Sequence, residues 1–283
     1  MSRIDLHLHT THSDGSLRPS EVLALAKQAD VTTLAVTDHD ITTGIPEALA
    51  AGSELGIEVI PGVEISCSTD GKGELHILGY GIQWQDPRFN ERLSALRASR
   101  HRRNPMIIER LRAAGLDITY GEVQALAGTE SVGRPHIAQV LMQKKYVASA
   151  REAFDRYLAE GRPAYVTREL PTPAEAIGWI REAKGIAVLA HPTWVKESSA
   201  GLPLLVSALK DAGLAGVEVH YSTHSRSDTN RYLELSRKLD LLVTGGSDFH
   251  GLTKPDIAVG TGRGGLKVSP KLLAPLKEAV ARL

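Results

Sequence analysis

Short apolar runs alternate with helix-forming stretches along most of this 283-residue chain, and that rhythm restricts the fold more than any other feature. "RIDLHLH" (residues 3–9) reads as a strand and "SEVLALAKQAD" (20–30) as a helix with Ser20 as its cap. "TTLAVTDHD" is a second strand, "IPEALAAGSELG" a helix closed by Gly56, "IEVIPGVEIS" a third strand and "ELHILGYGI" a fourth. After Arg162 the rhythm resumes with helix 173–184, strand "GIAVLAH", helix 202–212 and strand "AGVEVH". Helix 226–239, strand "LLVTGGSD" and a closing helix from about 269 follow. Alternation of this kind predicts parallel strands with helices outside, and the number of repeats favours a barrel over an open sheet.

Residues 86–165 break the rhythm. They read as helical throughout, with Leu93, Leu96, Ile107, Ile108 and Leu111 on one apolar stripe and Pro105 expected to kink or split the long helix. The expected organisation is a barrel from 1–85 and 166–283 with a helical cap subdomain from 86–165. Over 97–168 there are 13 Lys or Arg against 7 Asp or Glu, although 33 of each balance over the whole chain. A basic insert therefore stands beside an acidic barrel, and a general nucleic-acid coat, such as stable duplex DNA binding would need, is not indicated. The single cysteine, Cys67, excludes an internal disulfide and a Cys-rich zinc site. No signal-like start and no apolar run of about 18 residues appears, so a cytoplasmic protein without a membrane partner is expected.

In barrels the chemistry sits at the carboxyl ends of the strands. Ile4, Leu6 and Leu8 alternate with Asp5, His7 and His9, so His7 and His9 point the same way, within reach of one ion. Asp14 follows, and later strand ends present Asp38 and His39, then Glu64, His76, His191, Glu218 with His220, and Asp248 with His250. So many polar groups converging on one rim would lose hydration and repel one another unless cations held them. Nitrogen and oxygen donors without sulfur suit Zn²⁺, Mn²⁺ or Fe²⁺, and more than four ligands imply more than one ion. A cluster of this kind suits phosphoryl chemistry. Neither a Gly-rich phosphate loop nor a nucleophile elbow competes with it. The roles of His12 and Asp38 stay open at this level.

H-x-H-T near the start, then S-D-G, T-D-H, G-x-E, A-H-P and G-S-D-x-H, in this order, resemble the PHP family, the polymerase and histidinol phosphatase metallophosphoesterases. The resemblance implies a distorted seven-stranded (β/α) barrel holding two or three divalent ions. It implies a first metal on His7, His9, Glu64 and Asp248, with Glu64 bridging to a second on His76 and His191. A third would use Asp14, His39 and His250. Glu64, His191 and Asp248 would carry the catalysis, the last two also able to guide a proton. "GRPHIAQVL", "YLAEGRPAYV" and "VEVHYSTHS" are similar to a stand-alone PHP subgroup with a helical insert, acting on nucleoside 3',5'-bisphosphates or short RNA. That likeness puts Arg134, His136, Arg162, Tyr165 and His224 at the substrate. Arg134 and His136 also have a physical basis, since Pro135 in a first helical turn leaves amide donors beside a guanidinium.

The leading expectation is a metal-dependent phosphoesterase that releases the 3'-phosphate of a nucleoside 3',5'-bisphosphate by attack of a metal-bridging hydroxide. Short 5'-phosphorylated RNA is a further expected substrate. A histidinol-phosphate-type metabolite phosphatase and a degenerate metal-binding regulatory module are the alternatives.

Overall fold

A computed structural model describes residues 3–69, 73–128, 132–195, 197–198 and 201–283. Strand β1 (Arg3–Leu8) leads through helix α1 (Pro19–Gln28) to β2 (Val31–Val36), and α2 (Ile45–Leu55) leads to β3 (Glu58–Ser68) and β4 (Glu74–Tyr80). The insert follows as α3 (Pro87–Ala113), α4 (Tyr120–Ala127), α5 (Arg134–Gln143) and the short α6 (Ala150–Ala153), which runs into a π-helical turn at Phe154–Leu158. Then come α7 (Pro173–Glu182), β5 (Ile186–Leu189), α8 (Gly201–Asp211), β6 (Gly216–Tyr221), α9 (Arg226–Lys238), β7 (Leu242–Gly246) and α10 (Leu273–Ala281).

The seven strands lie side by side in chain order. The sheet nearly closes, because the amide of Asp248 donates to the carbonyl of His7 (2.8 Å) and that of His9 to the carbonyl of Phe249 (3.0 Å). The expected distorted (β/α)7 barrel is the observed architecture, with one correction to its all-parallel pattern. β4 runs antiparallel to both β3 and β5. The link at 69–73 is too short for a helical crossover, so β3 and β4 form a hairpin instead. His76 consequently stands near the start of its strand, yet on the same rim as the carboxyl ends of the parallel strands.

Other local expectations shift for similar reasons. Ser20 is not the cap of α1. The helix begins at Pro19, the Arg18 amide donates to Glu21 (2.7 Å), and the Ser20 hydroxyl donates to Glu47 of α2 (2.7 Å). Pro105 does not split α3, which stays one helix of 27 residues. Packing holds both halves: Phe89, Leu93 and Leu96 join the core between the sheet and its outer helices, while Ile107, Ile108 and Leu111 join Ile137, Leu141 and Leu158 in a separate cluster of the insert. The insert is not helical to its end, since 159–165 turns back as a coil.

A further cluster gathers Ile4, Leu6, Ala35, Leu78, Tyr80 and Val188 with Leu276 of α10. At the rim, glycine is a steric necessity. A Cβ on Gly246 would lie 2.4 Å from both the backbone nitrogen and the Cβ of His7. Gly246→Ala should therefore push β7 off β1, at a cost of about 1–3 kcal/mol or more. Thermal melting should show the loss, and a melting temperature equal to the parent's would mean the two strands can part freely.

Candidate metal centre

Glu64 lies in the middle of β3, fully buried, with five imidazoles around its carboxylate. His76 Nδ1 and His191 Nε2 are each 2.9 Å from Oε1. His9 Nε2 lies 3.1 Å from Oε2, and His7 Nε2 and His39 Nδ1 each 3.2 Å from it. Backbone geometry delivers these groups. The β1 alternation turns His7 and His9 the same way, as the sequence pattern requires. A bridge that continues β2 alongside β3 sets His39 against Glu64. His191 follows β5 with φ 25°, and Asp248 follows β7 with φ 57°, both in the left-handed region that non-glycine residues avoid. Such strain collects at functional positions that the surrounding fold over-determines.

Asp248 Oδ1 is 3.3 Å from His9 Nε2 and 3.6 Å from His7 Nε2. Asp14 Oδ1 lies 3.2 Å from His250 Nε2, with His39 and His9 nitrogens each 3.8 Å from its carboxylate. All nine sequence-derived ligands thus share one rim. They fall into four overlapping sets whose donor atoms lie within 4.8 Å of one another: His9, Asp14, His39 and His250; His7, His9 and Asp248; His7, Glu64 and His191; His39, Glu64 and His76.

The donor set fits metal ions. The Nε2 atoms of His7 and His9 face each other at 3.1 Å, and His39 Nδ1 is buried without a hydrogen bond although Glu64 is close. Atoms aimed at a shared point rather than at each other are what ligation produces. Burial alone would raise the Glu64 carboxyl, but His39, His7 and His76 hold it well below the usual carboxylate range. Burial likewise works against ionised Asp14 and Asp248, and their cationic neighbours reverse the sign. Burial pushes His39 and His250 down towards the neutral imidazole that a metal needs, whereas against burial Glu218, Glu64 and Asp248 push His7 up and Asp248 and Glu64 push His9 up.

Two carboxylates outside the ligand sets set the geometry. Glu218 on β6 accepts from His7 Nδ1 (2.9 Å) and from the His191 amide (2.8 Å). It thereby fixes the His7 tautomer that leaves Nε2 as the acceptor facing Glu64. Asp38 accepts from the Thr10 amide (2.8 Å), the Thr10 hydroxyl (2.7 Å) and the Ser13 hydroxyl (2.6 Å), so it pins the loop carrying Asp14. His12 Nδ1 meets the Thr43 hydroxyl (2.8 Å) instead of joining the cluster.

Beside the histidines opens a cavity of about 230 Å³ lined by Asp14, His39, His76 and His250 together with Glu74 and a basic set of Arg100, Arg103, Arg134, Arg168 and Lys254. Asp40 anchors part of this basic wall, with Arg100 at 2.7 Å and Arg168 at 3.4 Å. Arg134 pairs with Glu74 at 3.0 Å. Arg103 is buried and has no carboxylate partner among the described residues; it donates only to Asn104 (3.3 Å), and its Nε is unpaired. Burial and the neighbouring guanidiniums push its pKa down, the mark of a cation short of an anion.

Of the five substrate positions named from sequence, Arg134 lines this cavity and Tyr165 an adjoining one. The other three lie elsewhere. His136 is buried and accepts from the Gly133 amide (3.0 Å), capping its own helix. Arg162 is exposed, away from the cavity walls described. His224 packs between Tyr221 and Tyr232 at 5.1 and 5.0 Å and bonds the Val219 carbonyl. Sequence reading passed over Arg100, Arg103, Arg168, Lys254 and Trp194. Its only relevant signal was the basic excess of 97–168, which does not tell inward arginines from outward ones.

A seven-stranded barrel with a histidine–carboxylate cluster at its mouth and a basic wall above it is the frame of a metal-dependent phosphoester hydrolase. A model described as the PHP domain matches residues 5–170, and the chain belongs to that family. The 3',5'-nucleoside bisphosphate phosphatase of Chromobacterium violaceum is 36% identical over 251 residues, covering 88% of each chain. The 5'-3' exoribonuclease of Haemophilus influenzae is 36% identical over 248 residues, covering 88% of this chain and 90% of that one. A solved amidohydrolase from Chromobacterium violaceum, with sulfate bound and no metal, superposes with a TM-score of 0.90 at 32% identity, covering 98% of this chain and 97% of its own. No helix among the described residues is long and apolar enough to cross a membrane.

Two outcomes follow from the supporting carboxylates. Glu218→Gln should weaken divalent-ion binding about 10- to 100-fold in a Mn²⁺ titration while circular dichroism stays native, because the amide no longer dictates the His7 tautomer. Equal affinity would mean that packing alone orients the ring. Burial tends to raise the Asp40 carboxyl, but Arg168 and Arg100 hold it at about 2, below its ordinary 3.8. A depressed folded-state pKa stabilises above the ordinary value, here by about 2 kcal/mol, and that stability is lost as pH falls towards 2. The melting deficit of Asp40→Asn should accordingly be largest near neutrality and shrink below pH 4. A deficit independent of pH would assign it to packing.

Proposed function

We propose that this chain removes one phosphate from a nucleotide that carries a second, with nucleoside 3',5'-bisphosphates as the leading substrate and short 5'-phosphorylated RNA as a second. Its ions would be two or three of Mn²⁺, Zn²⁺ or Fe²⁺. His7, His9, Glu64 and Asp248 would hold the first, Glu64, His76 and His191 the second, and Asp14, His39 and His250 the third. When bound, such ions supply Lewis acidity that activates water near neutral pH and neutralises phosphoryl charge.

One observation carries the choice of a doubly phosphorylated substrate: the buried Arg103 guanidinium, without a carboxylate partner among the described residues, set in a basic wall opposite the histidines. A single phosphate at the histidine cluster leaves that wall unmet. A second phosphate answers it, and planar guanidiniums can give phosphate two parallel hydrogen bonds. Arg100 and Arg168 are held in place by Asp40, so they are pre-organised to receive it. Asp248 Oδ2 accepts from Tyr221 (2.7 Å) and contacts Lys254, so that oxygen is committed and a ligand role suits Asp248 better than proton transfer. His191 Nε2 points at Glu64, again as a ligand would. The named activities of the relatives from Chromobacterium violaceum and Haemophilus influenzae support the same substrate class.

The test is phosphate release by the metal-loaded protein from adenosine 3',5'-bisphosphate and from p-nitrophenyl phosphate. Chelation should abolish both. Arg103→Ala should lower kcat/KM on the bisphosphate roughly tenfold or more, the size of a lost charge-assisted contact, with a clearly smaller loss on the aryl ester. Equal losses on the two substrates, with metal content unchanged, would remove the basic wall from recognition.

A further inference from the structure

We infer that a second cavity, opening between the metal-binding histidines and the insert, is a nucleobase pocket and that Trp194 is its stacking wall. This rests on the reading above that phosphates lie along the arginine face. The cavity measures about 270 Å³, is bordered by His76 and His191, and is walled by Phe154, Tyr165 and Trp194. It shares Glu74, His76, Arg134, Phe154 and Trp194 with the basic cavity, so one ligand can span both.

Trp194 is 51% exposed, so a large aromatic surface is open to solvent. It is nonetheless held in place. Its ring packs on His191 at 4.7 Å between centroids, and the Lys254 ammonium lies 5.4 Å from the ring centre. Elsewhere on the lining, the Arg134 guanidinium lies 5.9 Å from the Phe154 ring and 5.8 Å from that of Tyr165, and Glu74 anchors it in turn at 3.0 Å. Phe154, Tyr165 and Trp194 thus bring flat apolar surfaces to this space, which His76 and His191 also border.

Charge sorts the two cavities. Glu74 and Arg134, which pair with each other, border both; beyond them the first adds Arg100, Arg103, Arg168 and Lys254 against Asp14, and the second adds only Glu160. A phosphate is drawn to the first, where the guanidiniums gather. The second is left to a part of the ligand that carries no phosphate and is flat enough to stack on indole, which describes a nucleobase joined through ribose to the phosphates. A base-free sugar phosphate would leave the aromatic walls wet.

The test compares kcat/KM for adenosine 3',5'-bisphosphate with that for 1-O-methylribose 3,5-bisphosphate, using metal-loaded protein. Stacking of one base on an aromatic side chain predicts a preference for the nucleotide of about five- to hundredfold. Trp194→Leu should collapse that ratio, and Trp194→Phe should restore most of it. AMP should quench the tryptophan fluorescence of the parent protein, and Trp194→Phe should lose the quench although Trp84 and Trp179 still emit. Equal kcat/KM for the two substrates, or a quench that survives in Trp194→Phe, overturns the base pocket while the phosphoesterase reading stands. Hydrolysis of neither substrate overturns that reading, and the AMP quench then decides the base pocket by itself.

Discussion

The buried Glu64 carboxylate is the constraint on which the rest of the molecule depends. Five histidines from β1, the end of β2, β4 and the end of β5 converge on its two oxygens. Taking these groups out of water is costly, and the fold meets that cost by setting opposite charge, or a place for it, against each one. The consequences run outward along the rim. Gly246 must lack a side chain so that β7 can pass His7, and His191 and Asp248 must take up left-handed backbone. Glu218 must stand behind both His7 and His191 to hold them. Much of what looks irregular in this barrel is a consequence of crowding ligands onto one edge of the sheet.

A second constraint ties the insert to the barrel. Helix α3 belongs to two cores, its first half packed against the sheet's outer layer and its second half inside the insert. Between those anchored halves sit Arg100 and Arg103, buried and facing the histidines. Asp40, at the end of the β2 strand region, reaches across to Arg100 and Arg168, so one carboxylate links the barrel rim to the basic wall. The neutral total charge of the chain conceals an uneven distribution, in which the barrel offers the histidines and carboxylates with Arg168 and Lys254, and the insert adds Arg100, Arg103 and Arg134. A polyanionic ester fits between two such surfaces, and a neutral ester would leave one of them unsatisfied.

The linear sequence determined most of the scaffold. Alternation of apolar runs with helical stretches placed all seven strands, and the rule that functional groups gather at strand carboxyl ends put the nine candidate metal ligands on a single rim. Ligand chemistry was legible for the same reason: histidines and carboxylates at successive strand ends have few structural uses. Only the tertiary structure decided the rest. The reversal of β4 depended on the short link at 69–73, which admits a hairpin and not a crossover. The stretch "RASRHRRN" holds four arginines, and which of them turn inward is set by what packs across α3, not by their own spacing. His136 and His224 looked like substrate residues, but the Nδ1 of each bonds a nearby backbone group, an amide for His136 and a carbonyl for His224. Trp194 gave no signal, since an indole in a loop acquires meaning only from the walls it faces. Backbone periodicity is a local property, whereas the direction of a long or aromatic side chain is settled by partners far away in the chain.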